Sequence, residues 1–376
     1  MRYRITHTTA YKYAIPAHEG FDQVRLRPVS DDVQTCLDFA LTIDPPATIV
    51  AFEDYYGNAV HDFAVPYLHD RLAIEARSDV VTVAGDDEPL AGPRPHEADP
   101  SPPLAGLAAD PDFGDEHAEF LAPSTYVALE PDSATLAHEL LAADPGTSAF
   151  AFLHSAAAYI HDHFEYKIGV TTVYSTVAEV LAGGEGVCQD FSHLLISLCR
   201  HAGLPARYVS GYLGNVAEST ASHAWAEAFV PPYGWIGVDP TAGARCTGRH
   251  IKVAVGRDYA DVSVVRGTYR GGGAATLDVN VRSEQVGPAG MSFGGPIGVR
   301  GRAAMVQFQP LGTMKQLRQL GAMTQSLEKM TQTMGGMSQS LGALPGMPVL
   351  QSDDDAPRQQ PQQQQQQRPE GVQRSA

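Results

Sequence analysis

Gly186-Val-Cys-Gln-Asp-Phe-Ser-His193 is the stretch on which the reading of this chain turns. A Gly-Val pair leads into Cys188. From there apolar residues recur at helical spacing through Leu194, Leu195, Ile196 and Leu198, until Gly203 and Pro205 stop the helix. Cys188 therefore stands at a helix N-terminus. N–H groups in a first helical turn lack intrahelical partners, and the dipole there is positive. Both favour a thiolate, and with an imidazolium nearby such placement lowers a cysteine pKa from about 8.5 to about 3.5–7.5. The same N–H groups suit the developing oxygen of a tetrahedral intermediate.

A thiolate nucleophile needs a proton carrier, and the carrier needs an orienting group. Downstream the period changes from helical to two. Ala206-Arg-Tyr-Val-Ser-Gly-Tyr212, His223-Ala-Trp-Ala-Glu-Ala-Phe-Val230 and Trp235-Ile-Gly-Val-Asp239 read as strands, and Pro231-Pro-Tyr-Gly234 turns the last two into a hairpin. His223 opens one strand and Asp239 closes the next. Adjacent antiparallel strands can set them side by side on one face. If the Cys188 helix packs on that face, the order Cys–His–Asp is complete. Trp225 and Trp235, the only two tryptophans, flank the hairpin and are placed to wall the site from water. Further strands read at 252–255 and 276–281.

Upstream of the helix, Thr176-Val-Ala-Glu179 is a capping box opening a short helix that stops at Gly183-Gly184. Residues 149–164 carry helical periodicity, and Ser133 is placed to cap a helix over 134–141. Residues 1–83 form a β-rich N-terminal domain of short strands, with a turn at Gly57-Asn58, suggesting an antiparallel sandwich. Residues 84–115 shift to Pro, Asp, Ala and Gly, as in a linker or long surface loop. The catalytic domain is then 116–284. Beyond it, 285–376 is a low-complexity tail. Residues 317–344 repeat LRQLGAM, TQSLEKM, TQTMGGM and SQSLGAL, with apolar residues at the 3-4 spacing of a coiled-coil seam. Gly321, Gly335, Gly336 and Gly342 each cost up to about 1 kcal/mol against Ala in a helix. Three readings stay open for the repeats: a homo-oligomer seam, an amphipathic helix on a partner or membrane surface, and an unordered tether. The Gln-rich end has the composition of a disordered segment.

The chain has 376 residues, 43% of them hydrophobic, which allows two domains with sizeable cores. Net charge is −17, and the segment from Arg300 on carries eight basic and five acidic residues, so the body is more acidic still. Nothing there favours phosphate backbones, and no nucleic acid is expected as partner. No apolar run approaches 18 residues, so no integral membrane contact is expected. The N-terminus lacks the apolar core of a signal peptide. The four cysteines are too few and scattered for a disulfide framework. A reduced, cytoplasmic protein is the expectation.

Four segments in order, Gly186-Val-Cys-Gln-Asp-Phe-Ser-His193, Ala206-Arg-Tyr-Val-Ser-Gly-Tyr212, Ser222-His-Ala-Trp-Ala-Glu227 and Gly234-Trp-Ile-Gly-Val-Asp-Pro-Thr241, resemble the bacterial transglutaminase-like superfamily of cysteine-protease-like proteins. Gly256-Arg-Asp-Tyr-Ala-Asp-Val262 is also similar to them, and residues 1–83 resemble the β-rich region that precedes their catalytic domain. The likeness covers about 1–283. It implies an α+β chain with a papain-like, transglutaminase-like core in which a catalytic helix packs on an antiparallel sheet. It also implies Cys188 as nucleophile, His223 as base and Asp239 as orienting group. Val264 departs from a frequent Pro, and Ala182 stands where a papain-type oxyanion Gln would help. Acidic calcium loops of the animal enzymes are not seen, so no calcium dependence is expected.

Other residues read more plainly. Cys199 suits core packing, and Cys36 and Cys246 carry no partner signal. Cys188 has no CxxC partner, and His161 and His163 at i, i+2 point two ways on a helix, so neither a metal nor a cofactor is expected. His193 and His201 read as surface or packing residues. Asp190, two residues past the nucleophile, reads as a holder of nearby backbone or tyrosine groups. Tyr166, Tyr208 and Tyr212 are candidates for the site wall or for oxyanion donation, as well as ordinary packing, and Tyr166, Trp225 and Trp235 are taken as substrate-binding. The expected function is thiol-dependent acyl transfer on a peptide or protein substrate, as a peptidase or amidase. A transglutaminase using amine acceptors and a non-catalytic binding module with a partner-recruiting tail are the alternatives.

Overall fold

The computed structural model describes residues 1–93 and 98–286 and the backbone of 358–359. In chain order the elements are β1 (Arg2–Val24), β2 (Gln34–Asp44), β3 (Ile49–Glu53), β4 (Ala59–Val65), β5 (His69–Thr82), α1 (Leu104–Ala108), α2 (Pro111–Glu116), α3 (Ala118–Leu121), α4 (Pro131–Ala143) and α5 (Ala149–His163). There follow β6 (Glu165–Tyr166), α6 (Val177–Gly183), β7 (Glu185–Gly186), α7 (Cys188–His201), β8 (Ala206–Leu213), β9 (His223–Val230), β10 (Gly234–Asp239), β11 (Ala244–Arg245), β12 (His250–Gly256), α8 (Tyr259–Val262), β13 (Val265–Gly271), β14 (Ala275–Gln285) and β15 (Arg358–Gln359). This is an α+β chain with an antiparallel N-terminal sheet and a helix-on-sheet core. The repeats 317–344 lie outside the described residues, as does the rest of 287–376 apart from β15, which pairs with β13.

The N-terminal sheet is one curled layer built around β1. Its first half alternates buried and exposed residues and pairs with β5 and β14; its second half pairs with β4 and β13. Register slips between Lys12 and Ala17 and between His18 and Phe21, so the strand bends there. Tyr11, Val24, Phe63, Val65, Leu72 and Ile74 fill the curl. Strands β13 and β14, drawn from the 116–284 segment, return to hydrogen-bond with β1, so the sheet is completed by residues on both sides of the core.

The second sheet runs β11-β10-β9-β8-β12, all antiparallel. Small side chains Ala224, Ala226 and Ala228 alternate along β9 and join the apolar cluster of α7, where Leu194, Leu195, Ile196 and Leu198 are fully buried. Alanines on that face let the helix lie close. The other face holds Trp225 with Val209, Cys246 and Val255.

Two local expectations differ. Helix α4 starts at Pro131 with Glu130 as N-cap, and Ser133 lies inside its first turn, donating to Glu130 O at 2.9 Å. Pro131 has the fixed φ that suits a first helical position, and so sets the start. The segment 84–115 is not a bare loop. It holds α1 and most of α2, buries Ala84 and Leu104, and bonds to the core sheet through Leu90 N to Cys246 O at 3.0 Å.

β12 is an edge strand of the core sheet, and the N-terminal domain closes that edge. Gln34 accepts from Lys252 N and donates to Lys252 O, both at 2.8 Å. His7 on β1 hydrogen-bonds Tyr212 of β8 through Nδ1 at 2.9 Å, with both side chains buried.

Candidate active site

Cys188 is the first residue of α7. The N–H of Val187 donates to the Asp190 carboxylate at 2.9 Å, closing the helix start. Thr171 Oγ1 donates to the same oxygen at 2.7 Å, and Gln189 Nε2 donates to Val173 O at 3.2 Å. The two residues after the cysteine thus tie the segment 167–176 to the first turn. Burial pushes Asp190 up to about 6, although both of its hydrogen bonds favour the carboxylate. Val173 shares an apolar cluster with Cys188, and Cys188 is wholly covered in this conformation.

His223 is the first residue of β9 and Asp239 the last of β10. The ring donates through Nε2 to Asp239 Oδ2 at 2.7 Å, with both side chains buried. That leaves Nδ1, which has no oxygen or nitrogen partner among the described residues, for the thiol. Cys188 acts on the ring both as a side-chain hydrogen-bond partner and as a charge. Burial opposes charge on this ring. The Asp239 carboxylate, its hydrogen bond and Cys188 outweigh burial and raise His223 to about 10. Asp239 is held well below the ordinary carboxylate range: burial would raise it, but the charge of His223 and hydrogen bonds from His223 and His250 prevail. Its other oxygen accepts from Thr241 N at 2.9 Å, and Thr241 O is in turn held by His161 Nδ1 at 2.9 Å.

Helix α7 does not lie on the face that carries His223 and Asp239. Strand alternation puts Ala224, Ala226 and Ala228 under the helix and His223 with Trp225 on the other side. His223 still meets Cys188 because it is a strand-terminal residue, where the ring reaches past the sheet end to the helix start.

Residues 135–240 match the transglutaminase-like superfamily and residues 3–81 the bacterial transglutaminase-like N-terminal region. An uncharacterized protein of Mycobacterium leprae is 32% identical over 74% of this chain and 97% of its own length. The chain belongs to the transglutaminase-like superfamily. A solved structure from Cytophaga hutchinsonii, provisionally assigned as a cysteine protease, shares the fold of this transglutaminase-like chain. Its TM-score is 0.58 at 23% identity, covering 75% of this chain and 90% of that one. A protein-glutamine gamma-glutamyltransferase of Pseudomonas aeruginosa is 35% identical over 65 residues, 15% of this chain and 10% of the enzyme.

Of the residues expected from sequence to bind substrate, Tyr166 lies beside the start of α7 in this transglutaminase-like chain. Its backbone pairs with Gly186, two residues before Cys188, and its ring meets Phe191 edge-on at 6.2 Å. Trp225 is 1% exposed and packs against both histidines, 5.3 Å from the His250 ring and 6.1 Å from the His223 ring. Trp235 sits four residues before Asp239, about 13 Å along the strand. There it contacts Phe120 and Phe229 and lies under the Arg207 guanidinium at 4.1 Å. Both tryptophans carry the alternation of a packed strand, and the sequence alone does not say what faces them. Tyr208 is buried close enough to Cys188 to feel its charge, whereas Tyr212 is committed to His7.

Cys199 is fully buried and pushed up to about 12 by burial, and Cys246 is likewise raised. His193 is pushed down to about 4 by burial and accepts from Tyr259 N at 3.2 Å. A cavity of about 650 Å³ lies at the far end of α7, lined by Leu104, Ala108, Leu141 and Arg200 among others. It is about 20 Å of helix away from Cys188.

Sequence reasoning missed His250. It opens β12, and its Nε2 lies 3.4 Å from Asp239 Oδ2. The only sequence signal is a histidine just after the Thr247-Gly248 turn, a pattern without chemical meaning until the fold brings β12 near β10. Donor atoms of His223, Asp239 and His250 fall within 4.8 Å of one another, a spacing that would admit a metal ion. The protons argue against that use. Thr247 N–H donates to His250 Nδ1 at 3.0 Å, which places the ring proton on Nε2, where a metal would need a lone pair.

Proposed function

We propose that this protein is a thiol-dependent acyl-transfer enzyme acting on peptide or carboxamide bonds through Cys188, His223 and Asp239, working as a peptidase or amidase. The observation that carries the reading is the His223 ring, bonded to Asp239 through Nε2 and raised by Asp239 and the neighbouring Cys188 against burial. Asp239 favours the protonated form of that ring, so His223 has a proton to give as the C–N bond breaks.

In the first half-reaction the Cys188 sulfur attacks the carbonyl carbon. The oxyanion is met by N–H groups of the first turn of α7. As the C–N bond breaks, His223 gives its proton to the leaving amine and a thioester remains. In the second half-reaction His223 takes a proton from water, the hydroxide attacks the thioester, and the acid leaves with the proton returned to the Cys188–His223 pair. An amine in place of water gives a new amide by the same steps, and the local likeness to the Pseudomonas gamma-glutamyltransferase supports that second reading. Because Cys188 is covered, the residues over it must part for substrate to enter, and Tyr166 is the side chain we place along that entry. A peptide or protein is the substrate class. The four cysteines form no disulfide, in keeping with a reducing compartment such as the cytoplasm. No described helix is long and apolar enough to cross a membrane.

The test is a peptide-library and carboxamide screen, with and without added primary amines, on the wild type and Cys188→Ala. Thioester-dependent turnover that vanishes in a folded Cys188→Ala supports the reading. Turnover that survives the substitution rejects it, and incorporation of amine in preference to hydrolysis selects the transglutaminase.

A further inference from the structure

The second histidine on the Asp239 carboxylate has no part in the acyl-transfer steps, yet it is buried and oriented. His250 receives the Thr247 N–H on Nδ1 at 3.0 Å, which settles its tautomer: Nδ1 is bare and Nε2 carries the proton. That N–H is directed at Asp239 Oδ2, the oxygen already bonded to His223. The ring is held edge-on by Trp225 at 5.3 Å and stands 6.2 Å from the His223 ring. Asp239 therefore has three donors, two imidazole N–H groups on Oδ2 and the Thr241 N–H on Oδ1.

We propose that His250 is a positioning residue: a neutral imidazole that fixes the rotation of the Asp239 carboxylate and, through it, the ring of His223. The inference rests on the acyl-transfer reading of Cys188, His223 and Asp239. The Thr241 N–H already holds Oδ1 and the His223 ring holds Oδ2; the His250 N–H is a second donor on Oδ2 and keeps that oxygen anchored from β12 while the His223 ring gives up and regains its proton. His250 does this without taking the negative charge from His223, since its environment keeps it uncharged. The charged groups facing it are Asp239, which would favour its protonation, and His223, which opposes it together with burial.

The placement of His250 comes from the N-terminal domain. Gly248 N donates to Gly85 O at 3.0 Å, and Thr82 Oγ1 donates to Gly248 O at 2.9 Å. A Cβ on Gly248 would clash with the carbonyl oxygens of Ala84 and Gly85, so the two backbone segments meet there with no room for a side chain. Two residues beyond His250, Gln34 holds Lys252. The N-terminal sheet thus fixes the start of β12, and β12 presents the second histidine.

Alkylation of Cys188 by iodoacetamide, followed by peptide mapping on the full chain from about pH 5 to 9, tests this without a known substrate. Cys36, half-buried and remote from the site, is the internal reference. Two variants are compared, His250→Leu, which removes the donor, and His250→Gln, which returns an N–H to the Nε2 position. The wild type is expected to alkylate at Cys188 well ahead of Cys36 at about pH 6. His250→Leu is expected to lose about tenfold of that acidic reactivity while still melting cooperatively, and His250→Gln to recover it to within about threefold. An unchanged profile in His250→Leu overturns the inference, and so does an equal loss in both variants, which would mean packing alone. A wild-type Cys188 no faster than Cys36 at about pH 6 overturns the acyl-transfer reading itself, and this inference with it.

Discussion

Asn58 pairs with Val255 as a strand would: its Oδ1 accepts from Val255 N and its Nδ2 donates to Val255 O, both at 2.8 Å. With Gln34 on Lys252, two carboxamides of the N-terminal domain satisfy the outer edge of β12, which would otherwise present unpaired N–H and C=O groups. Asn58→Ala and Gln34→Ala should each lower unfolding stability by about 1–3 kcal/mol: Asn58→Ala strips both the N–H and the C=O of Val255, and Gln34→Ala strips the Lys252 N–H, whose C=O still accepts from Val29 N at 3.2 Å. Urea melts check this, and a change of less than about 0.5 kcal/mol in both would mean that water replaces the amides freely.

Asp239→Asn should leave the fold standing but reduce turnover by about three orders of magnitude. The carboxylate accepts from two imidazole N–H groups, and an amide can offer only one oxygen, turning its NH₂ toward a donor. Turnover within about tenfold of wild type would show that Asp239 is not the group orienting His223.

The pH dependence of stability should carry a signature of His223. Its folded-state pKa, about 10, stands above the ordinary histidine value of 6.5. Its contribution is therefore complete below about 6.5 and is lost as pH rises through about 10. Melting temperatures of the wild type should fall between about pH 7 and 10, and those of His223→Ala should fall less. Parallel curves would remove the proton from His223.

Asp190 works in the opposite sense to an ion-paired carboxylate. Burial raises it to about 6 from 3.8, so the folded state binds its proton more tightly than the unfolded chain. Stability from this group is complete below about 3.8 and declines by about 3 kcal/mol as pH rises through about 6. Between about pH 4 and 7, Asp190→Asn should show a flatter dependence of unfolding free energy on pH than the wild type. An equally steep slope would assign the titration elsewhere.

Gly248→Ala probes the domain contact from outside the site. The added Cβ meets the Ala84 and Gly85 carbonyl oxygens, which are backbone and cannot swing aside. The variant should lose about 2 kcal/mol or more of stability and shift the 247–250 turn. Cys188 alkylation at about pH 6 should fall with it. Wild-type stability and alkylation together would show that the turn accommodates the group.

Sequence alone determined the helix beginning at Cys188, the hairpin carrying His223 and Asp239, the capping box at Thr176, and the family. Each is a local pattern: apolar spacing, turn residues and a nucleophile at a helix start are written within a few neighbouring positions. The bending of β1, the return of β13 and β14 to the N-terminal sheet, and the burial of Trp225 against the two histidines were decided only by tertiary structure. So were the face of β9 chosen by α7 and the second histidine on Asp239. These depend on which distant backbones approach one another. His250 is an unremarked residue after a turn until β12 docks beside β8 with its edge closed by Gln34 and Asn58, because a hydrogen bond to a carboxylate eleven residues upstream exists only in three dimensions.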